Sequence, residues 1–468
     1  MRTRTRPLVV RGLLALSVFA TLALPADAAQ EEPAPEQEAT PEAENVLLVI
    51  LDDVGRERIG AFSSGPAAAP TPTIDALARR GVCFDAAWAT PYCSPTRATI
   101  LTGRHASRTG VGHTVSPHGP ARGLSPDEWT LPKAARDLMG VRSAMVGKWH
   151  LAGSPDGRDH ARKCGFDRFL GTLANLGKSH EIDAYSTAWT VVDNEVTRPR
   201  GYITTVTVDD ALESIAWFGE VPWVVVVSFH AAHFPLHAPP ADLHSQELSG
   251  QPMQSPMAHH IAMVESVDRE LGRLLASIGE PVLERTHVIV VGDNGTQGKA
   301  MGDAHRPGKG KGTMHETGVG VPLVIAGPGV ASPGTRCAVP VHTTDLFPTA
   351  LALMGAEDPV AAARERDVVV DGRDLSPLIA DPTASLDRDG VVTEWFRPNH
   401  APPGERTVHR IAVRSGADKL VMDAAGGGES LYDLGADDDE SADRLRADDE
   451  AAGAARDRLR RILEALGL

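Results

Sequence analysis

The sequence predicts an α/β fold: a large, mostly parallel sheet packed with helices, then a small antiparallel sheet and a terminal helix. Three observations carry this expectation. Continuous apolar, β-branched runs recur along the chain, as in strands buried on both faces. Helix-length stretches alternate with them, the pattern of an open α/β sheet. Near the C-terminus, short strand-like runs follow one another between turn signals. The composition agrees. Of 468 residues 42% are apolar, enough for a large core and too many for a disordered chain. The four cysteines contain no Cys-x-x-Cys pair, which excludes a disulfide scaffold, a zinc ribbon or an iron–sulfur protein. A net charge of −16 argues against nucleic acid as a partner.

The chain opens on Arg2, Arg4, Arg6 and Arg11, followed by an uncharged run from Gly12 to Leu24. That run is shorter than the roughly 20 residues a membrane-spanning helix needs. Pro25 and Ala26-Asp27-Ala28 then give a small-x-small cleavage pattern. Residues 1–28 read as a signal peptide, with an uncleaved anchor as the alternative. The expectation is an exported protein, periplasmic or secreted, with no membrane span. Residues 29–44 are rich in Glu, Pro and Ala without periodicity, and read as an acidic linker.

The main domain is expected over 45–380. Its strand-like runs are Asn45 to Leu51, Ser143 to Val146, Trp223 to Phe229, His287 to Val291 and Pro322 to Ala326. Helix-like stretches fall at 73–81, 95–103, 130–140, 207–219, 256–279 and 343–354. Asp371-Gly372 to Leu378 reads as a closing loop. Residues 381–468 are expected to form a small C-terminal subdomain. Its strands are Val391 to Phe396, Val408 to Arg414, Lys419 to Met422 and Leu431 to Leu434, with a terminal amphipathic helix over 441–466.

Chemistry collects at four strand ends: Asp52/Asp53, Lys148/His150, His230/His233 and Asp293/Asn294. In open α/β sheets ligands bind at the carboxyl edge of the strands. One such pair is a solvated loop; four together point to a site. Asp52, Asp53, Asp293 and Asn294 are hard oxygen ligands, suited to Ca²⁺ or Mg²⁺. Gly55 would permit the sharp turn that lets both adjacent aspartates serve. Cys93 and Ser94 precede Pro95, which suits a first helical turn. Cys93 would then sit where backbone N–H groups favour anions, with Arg97 on the same face. Such a cysteine is either a low-pKa nucleophile or an incidental residue at a helix start. His113, His118, His259 and His260 read as surface residues. His230, His237, His305 and His315 lie near these loops and could line a cleft. Cys83, Cys164 and Cys337 read as buried thiols.

The run Cys93-Ser94-Pro95-Thr96-Arg97, followed by Leu101-Thr102-Gly103-Arg104, resembles the signature of type I sulfatases of the alkaline phosphatase superfamily. Further segments are similar to that family's motifs: Asn45 to Asp53, Gly147-Lys148-Trp149-His150-Leu151, Ala232-His233-Phe234-Pro235, Asp293-Asn294-Gly295, and Lys311-Gly312-Thr313 with Glu316. Leu431-Tyr432-Asp433-Leu434 resembles its last strand. The chain departs from the family at Thr317-Gly318 and Gly320, which touches loop shape and substrate contacts but not the metal or the nucleophile. The resemblance implies a large mixed, mostly parallel sheet sandwiched by helices, alkaline phosphatase-like, with a small C-terminal antiparallel sheet and helix. It implies sulfate ester hydrolysis, on a sulfated small molecule or glycan. It also implies that Cys93 is oxidised to Cα-formylglycine by a formylglycine-generating enzyme or equivalent. Asp52, Asp53, Asp293 and Asn294 would hold a divalent cation, usually Ca²⁺. Arg97 would hold the hydrate of residue 93, His150 would contact that residue, and Lys148, His233 and Lys311 would contact sulfate. Two rival readings remain at this point: a phosphate or phosphonate ester hydrolase on the same fold, and a non-catalytic binder of sulfated glycans.

Overall fold

The computed structural model describes residues 43–177, 183–302, 308–446 and 450–468. The expected signal peptide, most of the acidic linker and His305 lie outside them. From edge to edge, the large sheet runs Thr335–Cys337, Val82–Phe84, Leu323–Ala326, Thr286–Gly292, Asn45–Leu51, Trp223–Ser228, Arg142–Lys148, Arg168–Thr172, Thr190–Val192 and Glu195–Thr197. The central strands, from Thr286–Gly292 to Arg168–Thr172, are all parallel. Leu323–Ala326 and the hairpin 190–197 add antiparallel pairs, so the sheet is mixed.

The continuous apolar runs follow from burial on both faces. In Asn45–Leu51 every residue is buried. Val46, Leu48 and Ile50 face one core, with Ile100, Leu101, Leu131 and Phe347 from helices Cys93–Thr102, Leu131–Met139 and Leu346–Leu353. Leu47, Val49 and Leu51 face the other, with Ile74, Val206, Val264 and Val267 from Pro72–Arg80, Ile203–Phe218 and Pro256–Ile278. Successive strand side chains point to opposite faces, so the sheet is the middle layer of a three-layer sandwich.

The C-terminal sheet is antiparallel, in the order Val391–Arg397, Val408–Ser415, Asp418–Asp423, Glu429–Asp433. One face (Val392, Ile411, Val413, Leu420) is covered by Ala455, Leu459 and Leu463 of the terminal helix. The other (Val391, Trp395, Ala412) packs on Trp88, Met314 and Val319. That contact sets the small sheet against the segment carrying Lys311.

Two expectations change. The terminal helix is Glu450–Leu466 and does not begin at 441. Asp443 instead accepts a hydrogen bond from the Leu431 backbone at 3.0 Å, which ties this stretch to the last strand. His259 and His260 are 2% and 0% exposed rather than at the surface, and His113 is half-buried. Among the described residues no helix is long and apolar enough to cross a membrane.

Candidate active site

The parallel strands end side by side and deliver their polar residues into one buried space. Backbone bonds fix this register past the strand ends: Phe229 N donates to Ile50 O (3.1 Å), Ala232 N to Asp52 O (2.9 Å) and Asp293 N to Leu51 O (3.0 Å). The turn expected at Gly55 occurs at Asp53, whose φ is +62°. Aspartate tolerates this left-handed conformation better than most residues. Asp52, Asp53, Asp293 and Asn294 are all fully buried.

The ten residues expected at the site come together. Lys148 Nζ donates to Asp52 Oδ2 and Lys311 Nζ to Asp53 Oδ1. Asn294 Nδ2 donates to Asp53 Oδ1 at 2.9 Å, and Asp53 N to Asp293 Oδ1 at 3.1 Å. Cys93 is the first residue of the helix Cys93–Thr102, every residue of which is buried, and its Sγ lies 3.6 Å from Lys311 Nζ. Arg97 Nη2 donates to Asp293 Oδ2 at 2.8 Å, and Nη1 donates to Lys148 O at 2.7 Å and to Ser228 Oγ. One guanidinium thus joins three strand ends, and its Nε is buried without a partner among the described residues. His233 Nε2 lies 3.9 Å from Asp53 Oδ2, while Nδ1 donates to Phe234 O at 2.6 Å. His150 has φ +57° and a buried Nδ1 without a partner among the described residues, and its carbonyl accepts from Ser94 Oγ at 2.8 Å.

The electrostatics are those of a charge cluster withdrawn from water. Burial works to raise the Asp52 carboxyl, but Lys148, His233, Arg97 and Lys311 together hold it well below the usual range. Asp53 is lowered against the same burial by Lys311 and His233. Asp293 is pushed up to about 7, by burial and then by Asp52. Burial, with Lys148, holds His150 far below the ordinary imidazole value. His233 falls to about 4, again from burial first, with Asp53 opposing and the two lysines adding. Burial raises the Cys93 thiol despite Lys148 and Lys311. The expected low-pKa thiol is therefore corrected: at a fully buried helix start, desolvation of the thiolate outweighs the nearby cations.

The arrangement leaves free lone pairs. Asp52 Oδ1, Asp53 Oδ2 and Asn294 Oδ1 are buried and have no hydrogen-bond partner among the described residues. Orphaned buried oxygens are costly unless a cation or water meets them. Ligand atoms of Asp52, Asp53, Cys93 and His233 all lie within 4.8 Å of one another. The site fits a divalent cation.

Tyr185 had no signal in the sequence. Tyr185 donates its hydroxyl to His230 O (2.8 Å) and His233 O (2.6 Å), pinning the His loop. His260 Nε2 lies 3.0 Å from Asp53 O, from the far helix Pro256–Ile278. His230 is buried and bonds Thr172 Oγ1 at 2.7 Å. His237 stacks on Tyr185 at 3.9 Å, and His315 lies 3.3 Å from Glu440, so neither is a free cleft residue. Cys83, Cys164 and Cys337 are free and buried, as expected.

Known proteins share this architecture. A family model described as Sulfatase matches residues 44–356. Mouse steryl-sulfatase is 30% identical, over 80% of this chain and 70% of its own length. Human arylsulfatase A is 29% identical, over 82% and 76%. Pig N-acetylgalactosamine-6-sulfatase is 27% identical, over 72% and 66%. Among solved structures, Ps i-CgsB in complex with k-i-k-neocarrahexaose superposes with a TM-score of 0.73 at 22% identity, covering 90% of this chain and 92% of that one. BT4656 in complex with D-glucosamine-2-N,6-O-disulfate gives 0.69 at 19%, covering 91% and 97%. Those structures share the fold. The family match over the whole sheet, with relatives named as sulfatases, makes this chain a member of the sulfatase family of the alkaline phosphatase superfamily, a sulfuric ester hydrolase.

Proposed function

We propose that this sulfatase cleaves its ester through residue 93, converted from cysteine to Cα-formylglycine, beside a divalent cation, Ca²⁺ or Mg²⁺, held by Asp52, Asp53, Asp293 and Asn294. The observation that carries this reading is the juxtaposition of Cys93 with three orphaned, buried oxygens, the buried Lys148 and the largely buried Lys311. Cys93 and His233 share that space, but a thiol and an imidazole are softer donors than a hard cation prefers. They belong to the reacting side. A raised thiol pKa leaves unmodified Cys93 protonated and weakly nucleophilic.

A sulfate ester carries spread negative charge and develops more on its departing oxygen. Lys148 and Lys311 hold the sulfate oxygens at a preorganised, dry site. The cation, when bound, offsets charge on sulfate and sharpens the acidity of the nucleophile. One hydroxyl of the residue 93 hydrate gives up its proton to solvent and attacks sulfur, and the S–O bond to the alcohol breaks. His233 gives the departing oxygen its proton. Bound negative charge offsets the lysines that, after burial, hold His233 low. His150, neutral at pH 7 by the same burial, takes a proton from the second hydroxyl. The bond from residue 93 carbon to the sulfate-bearing oxygen then breaks, releasing sulfate and restoring the aldehyde. Arg97 Nε is the donor left to hold residue 93.

The test is peptide mass analysis of the active enzyme. Residue 93 should be lighter than cysteine by the exchange of thiol for aldehyde. An unmodified thiol in fully active enzyme would contradict the reading. We further propose export to a periplasmic or extracellular compartment after cleavage following Ala28. N-terminal sequencing of mature protein beginning upstream of Ala28 would refute that.

A further inference from the structure

The helix Pro256–Ile278 lies on the opposite face of the large sheet from the helix that carries Cys93. It is firmly held there. Ile261, Val264, Val267 and Leu271 are buried in the core on that face. Asp268 accepts from Thr73 N (3.0 Å) and Ile74 N (2.8 Å) of the neighbouring helix Pro72–Arg80. Near its start, one imidazole reaches back to the candidate active site. His260 is 0% exposed, and its Nε2 lies 3.0 Å from the backbone oxygen of Asp53. A carbonyl oxygen only accepts, so Nε2 carries the hydrogen and donates it. Nδ1 is buried with no partner among the described residues. A second hydrogen there would leave a buried charge unpaired, so the ring is neutral.

This bond falls on the one backbone position that the cation site cannot do without. Asp53 has φ +62°, a conformation that a residue other than glycine keeps only where its surroundings hold it. The turn there lets the adjacent Asp52 and Asp53 both face one space. Three of its bonds run to the strand-end side. Ala232 N donates to Asp52 O (2.9 Å), Asp53 N to Asp293 Oδ1 (3.1 Å) and Gly55 N to Thr296 Oγ1 (3.0 Å). The Asp53 carboxylate is engaged at Oδ1 by Lys311 and Asn294, and its Oδ2 is among the orphaned oxygens. The Asp53 carbonyl is what remains, and His260 takes it from the other side. Rotating that peptide would strip the carbonyl of its donor and swing Oδ2 away from Asp52.

We propose that His260 is a positioning residue for the cation: its Nε2–H holds the Asp53 carbonyl, and with it the left-handed turn, so that Asp53 Oδ2 meets the ion. The inference rests on the cation reading above and adds a residue outside the ligand set, acting through the Asp53 backbone. Ca²⁺ binding is measured by calorimetry on the full-length, chelator-stripped protein. His260→Phe keeps a ring of similar size and has no donor. It should bind Ca²⁺ about 10- to 100-fold more weakly, the range for loss of an outer hydrogen bond to a metal ligand. His260→Gln, whose amide N–H reaches about as far as Nε2, should restore most of the affinity. A role in packing alone predicts the reverse, with Phe tolerated and Gln the worse. Undiminished affinity in His260→Phe, or equal losses in the two variants, would overturn the proposal. Where His260→Phe does not fold, NMR of the imidazole nitrogens in the unmutated protein decides. The His260 signal, assigned by its loss in His260→Gln, should show hydrogen on Nε2 alone and should move on saturation with Ca²⁺. Hydrogen on Nδ1 alone, or a signal indifferent to Ca²⁺, would overturn the proposal. Failure of the unmutated protein to bind Ca²⁺ or Mg²⁺ would overturn the cation reading and this one with it. Equal binding by the unmutated protein and His260→Phe would overturn this one alone.

Discussion

Arg97 shows how much single side chains do in this protein. Its guanidinium bonds Asp293, the Lys148 carbonyl and Ser228 in a buried place. Lysine has one ammonium and cannot reproduce the fork. Arg97→Lys should destabilise by about 2–4 kcal/mol, read by denaturant unfolding, because a buried acceptor loses its partner. Cys93→Ser should fold with an unchanged unfolding midpoint and lose turnover, since serine provides no second hydroxyl from which to expel sulfate. His237 gives a pH signature. Burial lowers its imidazole to about 4, with the Pro235 carbonyl opposing. Its unfolded value is about 6.5, so the unfolded chain binds the extra proton between the two. Its stability contribution is complete above about pH 6.5 and fades as pH falls toward 4, by on the order of 2 kcal/mol. His237→Gln should flatten that part of the thermal-midpoint profile. At this scale the sequence was readable where polar residues close the buried strands, as with Asp52, Lys148 and Asp293, which the fold brings together. Tyr185 and His260 were unreadable because their importance comes from contacts made across the fold.

The elements that position the site were legible for a physical reason. A strand buried on both faces must be apolar along its buried length, and Asn45–Leu51 after its first residue and Trp223–Ser228 up to its last show that pattern without interruption. Three-residue strands such as Val82–Phe84 and Thr335–Cys337 carry no such pattern and exist because their neighbours pair with them. The mixed character of the sheet was implied by the family resemblance, since composition does not reveal strand direction. Gly147 marks where backbone geometry serves the chemistry. It has φ +89°, and a Cβ there would lie 2.0 Å from Ser228 O. It directly precedes Lys148, so Gly147→Ala should part this strand from Trp223–Ser228 and displace the lysine. A loss of at least about 2 kcal/mol in stability, with turnover falling alongside, is the expected result.

The two sheets are joined by charge as well as by packing. Lys419, fully buried in the small sheet, donates to Glu316 Oε1 at 2.9 Å and lies 2.8 Å from Glu440 Oε1. Glu316 also accepts from Trp88 Nε1 at 2.9 Å, and its backbone N–H donates to Glu440 Oε2 at 2.6 Å. Five residues before Glu316 stands Lys311. The C-terminal sheet thereby holds the segment that brings Lys311 to Cys93. Lys419→Met should cost about 3–5 kcal/mol by leaving two buried carboxylates short of their cation. It should also lower turnover without touching the site. The whole-molecule charge fits this picture. In the sequence, acidic residues crowd 29–44 and 433–450, so an acidic protein can still present Lys148 and Lys311 to an anionic ester. The most direct test of the account is the initial rate of sulfate release from an aryl sulfate by the mature enzyme and by Cys93→Ala. The account expects release by the first and a loss of at least about 10³-fold in the second, as for removal of a covalent nucleophile. Undiminished release by Cys93→Ala would contradict it.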